Sequence, residues 1–256
     1  MIYFSESSKS NVVIDVHKEN ISPRASLSSN VTGVSGAYLD IKSWLPLCAS
    51  TMSISPNFND YILIPTVTLL AGGKESAFPN SNSDHISTEV LLQWDYELHM
   101  ARYRTLKACP LYIEHANTDL SQSRGVVADV YLSPLKGYRG NFSKLVSLMA
   151  FDRSKDPKLV EDLLSRQINS YSCGAHFSAY TCSDEGHRIV HTDERGSRMT
   201  RPGIPAYSAI IGGKECLIYR NLLGSHNGCK GGLKFFEQSV VRTPAFCSAL
   251  SDIILQ

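Results

Sequence analysis

The stretch Ser165–Gly186, SRQINSYSCGAHFSAYTCSDEG, decides how the chain is read. From Tyr171 to Cys182 the residues alternate with the period of two that belongs to a half-buried strand. One face carries Ser172, Gly174, His176, Ser178, Tyr180 and Cys182, and the other carries Tyr171, Cys173, Ala175, Phe177, Ala179 and Thr181. The second set suits a core. Ser172 is therefore expected to point away from it, beside the bare backbone of Gly174, a gap that would admit a substrate chain. A serine hydroxyl is a weak nucleophile unless a base lies within hydrogen-bond reach. His176 lies four residues along the strand, roughly 13 Å away at ~3.3 Å per residue, so the base has to come from elsewhere.

Outward from this stretch, strand signals dominate. Upstream, Asp156-Pro157 opens a helix with an N-cap aspartate and a proline at the first helical position, and Leu159, Val160, Leu163 and Leu164 lie on one side of it. Downstream, Leu233–Val241 is the last strong strand. The runs Tyr61–Leu70, Val126–Leu132 and Lys144–Phe151 are apolar and suit buried strands, with Pro65 marking a bulge or an edge. Leu111-Tyr112-Ile113 is a short strand that delivers Glu114-His115-Ala116-Asn117 into a polar loop, near a turn between two antiparallel strands. A helix is expected from Ser87 to about Leu106, where Pro110 forbids its continuation, and a strand or edge segment over Ile41–Leu45. These elements predict an α+β protein with an antiparallel β-barrel-like core flanked by a few helices.

Residues 1–30 read as a mobile N-terminal arm or pro-segment, and 31–256 as a single domain with an exposed insertion near 186–205. At 256 residues and 43% hydrophobic the chain is long enough for one sizeable core. Lysine plus arginine number 25 against 24 for aspartate plus glutamate, so no basic field advertises nucleic acid or an anionic membrane. The opening MIYFSESSKS lacks the basic flank and apolar run of a signal peptide, which predicts an intracellular, soluble protein. Seven scattered cysteines, an odd number, suit a reducing compartment better than a disulfide framework. The glycine-lysine pairs at Gly72–Glu75 and Gly212–Glu215 are not phosphate loops, because glutamate replaces the magnesium-binding hydroxyl.

Two chemistries compete for the polar residues of the central stretch. Cys173, His176, Cys182, His187 and His191 are zinc-type ligands, but zinc needs four converging on one point, and the strand register puts Cys173 and Cys182 on opposite faces. The other chemistry is nucleophilic, with Ser172 attacking and a distant base assisting.

Four segments taken together resemble the prohead maturation proteases of large tailed phages, a family that shares the herpesvirus assemblin fold. They are Pro110-Leu111-Tyr112-Ile113-Glu114-His115-Ala116-Asn117, Gly125-Val126-Val127, Ser172-Cys173-Gly174, and Phe236-Glu237-Gln238-Ser239-Val240-Val241 followed by Pro244-Ala245. The family has a "Pro, apolar, His, x, Asn" segment, a "Ser, x, Gly" strand and a last core strand reading "Phe, x, Glu, x, Ser, x, Val" before "Pro-Ala". The chain departs from the pattern at Cys173, where a larger apolar residue is usual, and in the charged stretch after Cys182. Residues 1 to about 60 carry none of the resemblance.

The resemblance implies a serine endopeptidase in which Ser172 attacks the scissile carbonyl, His115 takes and returns the proton, and Glu237 holds the imidazole. Asp152 is the rival for that third role. The backbone after Val241 is where oxyanion donors would be sought. It further implies cleavage of scaffold and major capsid proteins, with self-processing, inside the immature head in the host cytoplasm. The partners are then those substrates and further copies of the chain, with no cofactor, metal, nucleic acid or membrane. Members often cut after glutamate with a small residue two positions earlier, as in Ser87-Thr88-Glu89 of this chain. A scaffold-like relative that keeps the fold without the chemistry is the main alternative, and a zinc-binding module a third.

Overall fold

The structure, a computed structural model, describes residues 41, 44–72, 79–82, 84–135, 142–177, 179–182, 189–191, 207–211, 214–218, 220–223 and 232–244. The expected arm over 1–30 lies outside these residues, as does the 186–205 insertion apart from 189–191.

Two three-stranded sheets carry the architecture. The first has the order β1 (Tyr61–Ala71), β7 (Ser143–Asp152), β6 (Gly125–Pro134), antiparallel throughout. β7 is buried at every position, as a central strand covered on both faces must be, which is why its sequence runs apolar without alternation. Pro65 sits on β1, paired to β7 alone, so its missing N–H costs no ladder bond on the outer side; the register shift in this strand falls at Val67/Leu69 instead.

One face of this sheet is covered by a helix over 44–52, which packs Leu45, Ala49 and Met52, together with Ile41, against Tyr61, Val126, Ala128, Leu148 and Ala150. This corrects the strand expected over Ile41–Leu45. The spacing Ile41, Leu45, Ala49, Met52 is one helical face, and it outweighs the local β propensity once the sheet offers a surface. The other face, with Ile62, Ile64, Leu69, Val127, Leu145, Met149 and Phe151, joins the main core.

The second sheet lies over that core in the order β5 (Leu111–Ile113), β14 (Lys234–Val240), β8 (Tyr171–His176). β14 pairs parallel to β5 and antiparallel to β8. Tyr171, Phe235 and Val240 face inward, and Gln238 reaches across to Thr66 and Thr68 on β1, 3.4 and 3.2 Å from their hydroxyls. The segment leading into β5 runs antiparallel to β6 through the isolated bridge Pro110–Val126 and the backbone bonds Val127 N–H to Cys109 O and Arg124 N–H to Leu111 O, so His115 does follow one of two antiparallel segments, while the ladder partner of β5 itself is β14.

Three further sheets complete the described chain. They are β10 (Ile189–His191), β9 (Ala179–Cys182), β13 (Arg220–Leu223) and β2 (Asp84–Ile86) in that order, β11 (Tyr207–Ile211) with β12 (Lys214–Ile218), and β3 (Trp94–Asp95) with β4 (Met100–Ala101). The protein is thus mixed α+β, mostly sheet with few helices. The described strands form separate sheets and no closed barrel, and two of their pairings are parallel.

Two further expectations change. The helix expected from Ser87 to Leu106 is confined to Thr88–Leu92, capped by Ser87; the β3–β4 hairpin and a 3₁₀ turn over Arg102–Leu106 follow. Asp95 is the cause. Its carboxylate accepts from the backbone N–H of Glu97 and Leu98, a turn that competes with helix, and it pairs with buried Arg102 at 3.0 Å. The single strand read over Tyr171–Cys182 is two, β8 and β9, broken at Phe177 and joined to different sheets. Tyr180 consequently turns into the core instead of sharing the Ser172 face.

The helix beginning at Asp156-Pro157 forms as read: Asp156 accepts from the Leu159 N–H, and Leu159, Val160 and Leu163 are buried. Among the described residues no helix is long and apolar enough to cross a membrane.

Candidate active site

The outer face of the β5-β14-β8 sheet brings together the three residues singled out from the sequence. In an antiparallel ladder, directly paired residues share a face. Ser172 on β8 pairs with Ser239 on the middle strand, which pairs in turn with Tyr112 on β5. Glu237 pairs with Gly174. Glu237, Ser239, Ser172, Gly174 and Tyr112 therefore line one surface, while Gln238, Cys173, Leu111 and Val240 face the core side.

A bulge makes this possible. The register shifts between Phe235 and Glu237, so Phe236 is an extra residue in β14. Strict alternation would put Phe235, Glu237 and Ser239 on one face. The bulge instead sends Phe235 into the core, opposite Ala175, and leaves Glu237 beside Ser239 on the outer face.

His115 arrives from the other side of the middle strand. Glu114 and His115 both have positive φ, 49° and 57°. Two consecutive left-handed residues reverse the chain directly after β5. The reversal is pinned by the Glu114 N–H on Val240 O (2.9 Å) and the Ala116 N–H on Ile113 O (3.0 Å). In the parallel register His115 would otherwise run on past Val240. The turn lays the imidazole back along β14, where Nδ1 lies 2.7 Å from Glu237 Oε1. A carboxylate only accepts, so Nδ1 carries the proton of this bond and Nε2 is left with a lone pair.

Glu237 is fully buried, and its second oxygen, Oε2, accepts from Ser239 Oγ at 2.5 Å. The His115 side chain remains 43% exposed on the solvent side of the pair. Its pKa is raised above the ordinary 6.5, chiefly by the hydrogen bond to Glu237, against partial burial and with the charges of Glu237 and Glu114 assisting. Burial, reinforced by the same Glu237 charge, pushes the Cys109 thiol up to about 12 and raises Cys173 and Tyr112 as well. These thiols are protonated and inert as nucleophiles at neutral pH.

Ser172 departs from expectation in one respect. It lies on the predicted face, away from Tyr171, but is only 8% exposed, so it is enclosed rather than solvated. Its hydroxyl is not hydrogen-bonded to His115 among the described contacts. The bare backbone of Gly174 is not open to a substrate chain either: the space a Cβ would take there is bounded by Glu237 Oε1 and the Phe236 ring, each 2.5 Å away.

Asp152, the rival carboxylate, is buried at the end of β7 and accepts from the Ser55 N–H at 2.6 Å and from both N–H and hydroxyl of Ser154 at 2.8 and 2.6 Å. It belongs to a different part of the molecule from His115. Of the backbone donors after β14, the Val241 N–H is bonded to Ser170 O and the Arg242 N–H to Glu114 Oε1, both within 3.0 Å, so neither is open for an oxyanion in this state. His176 is exposed and stacks on Phe236 with ring centroids 4.4 Å apart, while Cys173 points to the opposite side. The described residues contain no group of three or more metal-type ligands.

Sequence reasoning missed the roles of Ser239, Gly174 and Phe236. The signal for Ser239 was present, two residues from Glu237 on one strand face. The other two depended on a bulge and a cross-strand register that no local pattern encodes. No family model, curated protein or solved structure matches the chain.

Proposed function

We propose that the chain is a serine hydrolase in which Ser172 is the nucleophile, His115 the general base and Glu237 the carboxylate that holds the base. More narrowly, we propose a capsid-maturation endopeptidase of the phage prohead type with an assemblin-like barrel fold. It would cut scaffold and major capsid proteins and itself inside the immature head in the host cytoplasm, as a homo-oligomer and without a cofactor. The observation that carries the reading is the His115–Glu237 hydrogen bond of 2.7 Å on the same three-stranded unit that bears Ser172. A buried carboxylate is costly unless paired, and an imidazole that must become imidazolium during acyl transfer is a partner that justifies it.

In this mechanism Nε2 of His115 takes the Ser172 proton as Oγ attacks the carbonyl, and the imidazolium, held through Nδ1 by Glu237, passes that proton to the leaving amine. The Ser172–His115 contact would be completed when substrate binds, as catalytic hydrogen bonds often tighten only then. The enclosure of Ser172 and its unmade bond to His115 favour a second reading, a scaffold-like relative that keeps the fold and lacks the chemistry.

Incubation with a capsid-protein substrate, followed by intact-mass measurement, separates the two. The protease reading expects discrete products from the wild type and none from Ser172→Ala, with Ser170→Ala cutting as the wild type does. Intact substrate with folded wild-type protein supports the inactive relative, and equal cleavage by Ser172→Ala sinks the assignment.

A further inference from the structure

We infer that Gly174 and Ser239 are positioning residues for the His115–Glu237 pair, jointly fixing which way the Glu237 carboxylate turns. Neither is given contact with a reacting atom. The consequence for rate rests on the protease reading; the geometric part rests on the pair alone.

The last torsion of a glutamate side chain is broad and roughly two-fold, so one hydrogen bond does not lock a carboxylate. Here each oxygen has its own partner: Oε1 takes the His115 Nδ1 proton at 2.7 Å and Oε2 takes the Ser239 hydroxyl at 2.5 Å. Ser239 is 1% exposed and neighbours Glu237 on the same strand face, so its hydroxyl is confined as well. The carboxylate lies over the backbone of Gly174, its ladder partner, because that position has no Cβ. A methyl group there would stand 2.5 Å from Oε1 and 2.5 and 2.8 Å from two carbons of the Phe236 ring.

Both obstacles are the far ends of side chains. An alanine can therefore be housed by swinging the carboxylate and ring away, with the backbone left in place. That separates Gly174 from Gly125, where the obstacle is backbone. Gly174→Ala is thus expected to fold and to move the one carboxylate of interest. The other ionisable groups around the pair are Glu114 in the His115 turn, Tyr112 on β5, Cys109, Arg242, Cys173 next to Gly174, and His176 on the Phe236 ring, and the substitution replaces none of them.

The test is a titration of the His115 ring by NMR in the full chain, its resonance among the eight histidines assigned with His115→Gln, alongside kcat and KM on a peptide substrate. Gly174→Ala and Glu237→Gln are expected to bring the His115 midpoint down toward 6.5, its ordinary value. Ser239→Ala is expected to bring it down as well, because a carboxylate that has lost one of its two partners turns away from the imidazole more freely. Ser239→Thr, which keeps the hydroxyl, should restore the wild-type midpoint. Under the protease reading Gly174→Ala also lowers kcat about tenfold with KM unchanged, a small part of what an orienting carboxylate can supply.

A fall in both variants that Ser239→Thr reverses is a signature that a merely structural role would not give, and a rise in Ser239→Ala overturns the role assigned to Ser239. A His115 midpoint unmoved in both Gly174→Ala and Ser239→Ala overturns the inference. Should Gly174→Ala fail to fold, the Ser239→Ala and Ser239→Thr pair decides alone. Midpoints that shift as stated in a protein that cleaves nothing uphold the positioning roles and reject the protease.

Discussion

Glu237 and Asp152 are both buried carboxylates, and their partners divide their roles. Asp152 holds a loop, through Ser55 and Ser154, whereas Glu237 holds an imidazole. Glu237→Gln keeps the shape and removes the charge, and should slow cleavage by at least ~10-fold, a lenient threshold beside the up to ~10⁴ an orienting carboxylate can be worth. Asp152→Asn leaves backbone and hydroxyl donors with a poorer acceptor and should cost about 1–3 kcal/mol in denaturant unfolding, while changing the rate of the folded protein by less than about 3-fold. The reverse ranking of rates would move the third role to Asp152. The raised pKa of His115 adds a pH dependence. The neutral ring is the base, so kcat/KM should climb with pH through a midpoint above 6.5, and Glu237→Gln should shift that limb to lower pH. The stability linked to the same group has the opposite course: present in full below the unfolded pKa and lost as pH rises through the folded one. A profile with its acid limb below 6.5 would show that His115 does not titrate with Glu237 as its partner.

At the level of elements, glycines at two strand positions bear opposite kinds of contact. At Gly125, the first residue of β6, φ is 156°, and a Cβ would stand 2.0 Å from Ala150 O and 2.9 Å from Phe151 Cα. Neither atom can swing aside, because both are backbone of the central strand β7. Gly125→Ala should therefore destabilise the protein by at least the ~1–3 kcal/mol typical of overpacking, read as a lower urea midpoint. An unchanged midpoint would mean the β6–β7 approach is looser than it stands here. Much of this level was legible in the sequence. The apolar runs of β1, β6 and β7, the Asp156-Pro157 helix start and the inward face of β8 all follow from local periodicity and capping. The exceptions share a physical cause. Asp95 ends a helix by a side-chain turn, the Phe236 bulge shifts the phase of β14, and 44–52 becomes a helix because β1, β7 and β6 present a face to cover. In each, a particular side chain or a packed neighbour overrides the local propensity, at close range for Asp95 and across the chain for the other two.

Across the whole molecule, the candidate site is assembled from three separate segments, with Glu237 brought to His115, 122 residues away in the chain, by the parallel pairing of β14 with β5. A sequence can name the histidine, the serine and the glutamate separately. Their convergence needs the order β5-β14-β8, which places the serine on one outer strand, the histidine in the turn after the other, and the acid on the strand between them. The sheet is joined to the rest by Leu111, Tyr171, Phe235 and Val240 in the main core and by Gln238, which reaches Thr66 and Thr68 across it. The central claim is that this arrangement activates Ser172, and a serine-reactive fluorophosphonate reports activation without requiring the natural substrate. Labelling followed by peptide mass spectrometry should place one adduct on Ser172, absent from Ser172→Ala, strongly reduced in His115→Gln, and retained in Ser170→Ala. A folded wild-type protein that takes up no label, or an adduct that persists undiminished in Ser172→Ala, would contradict the account.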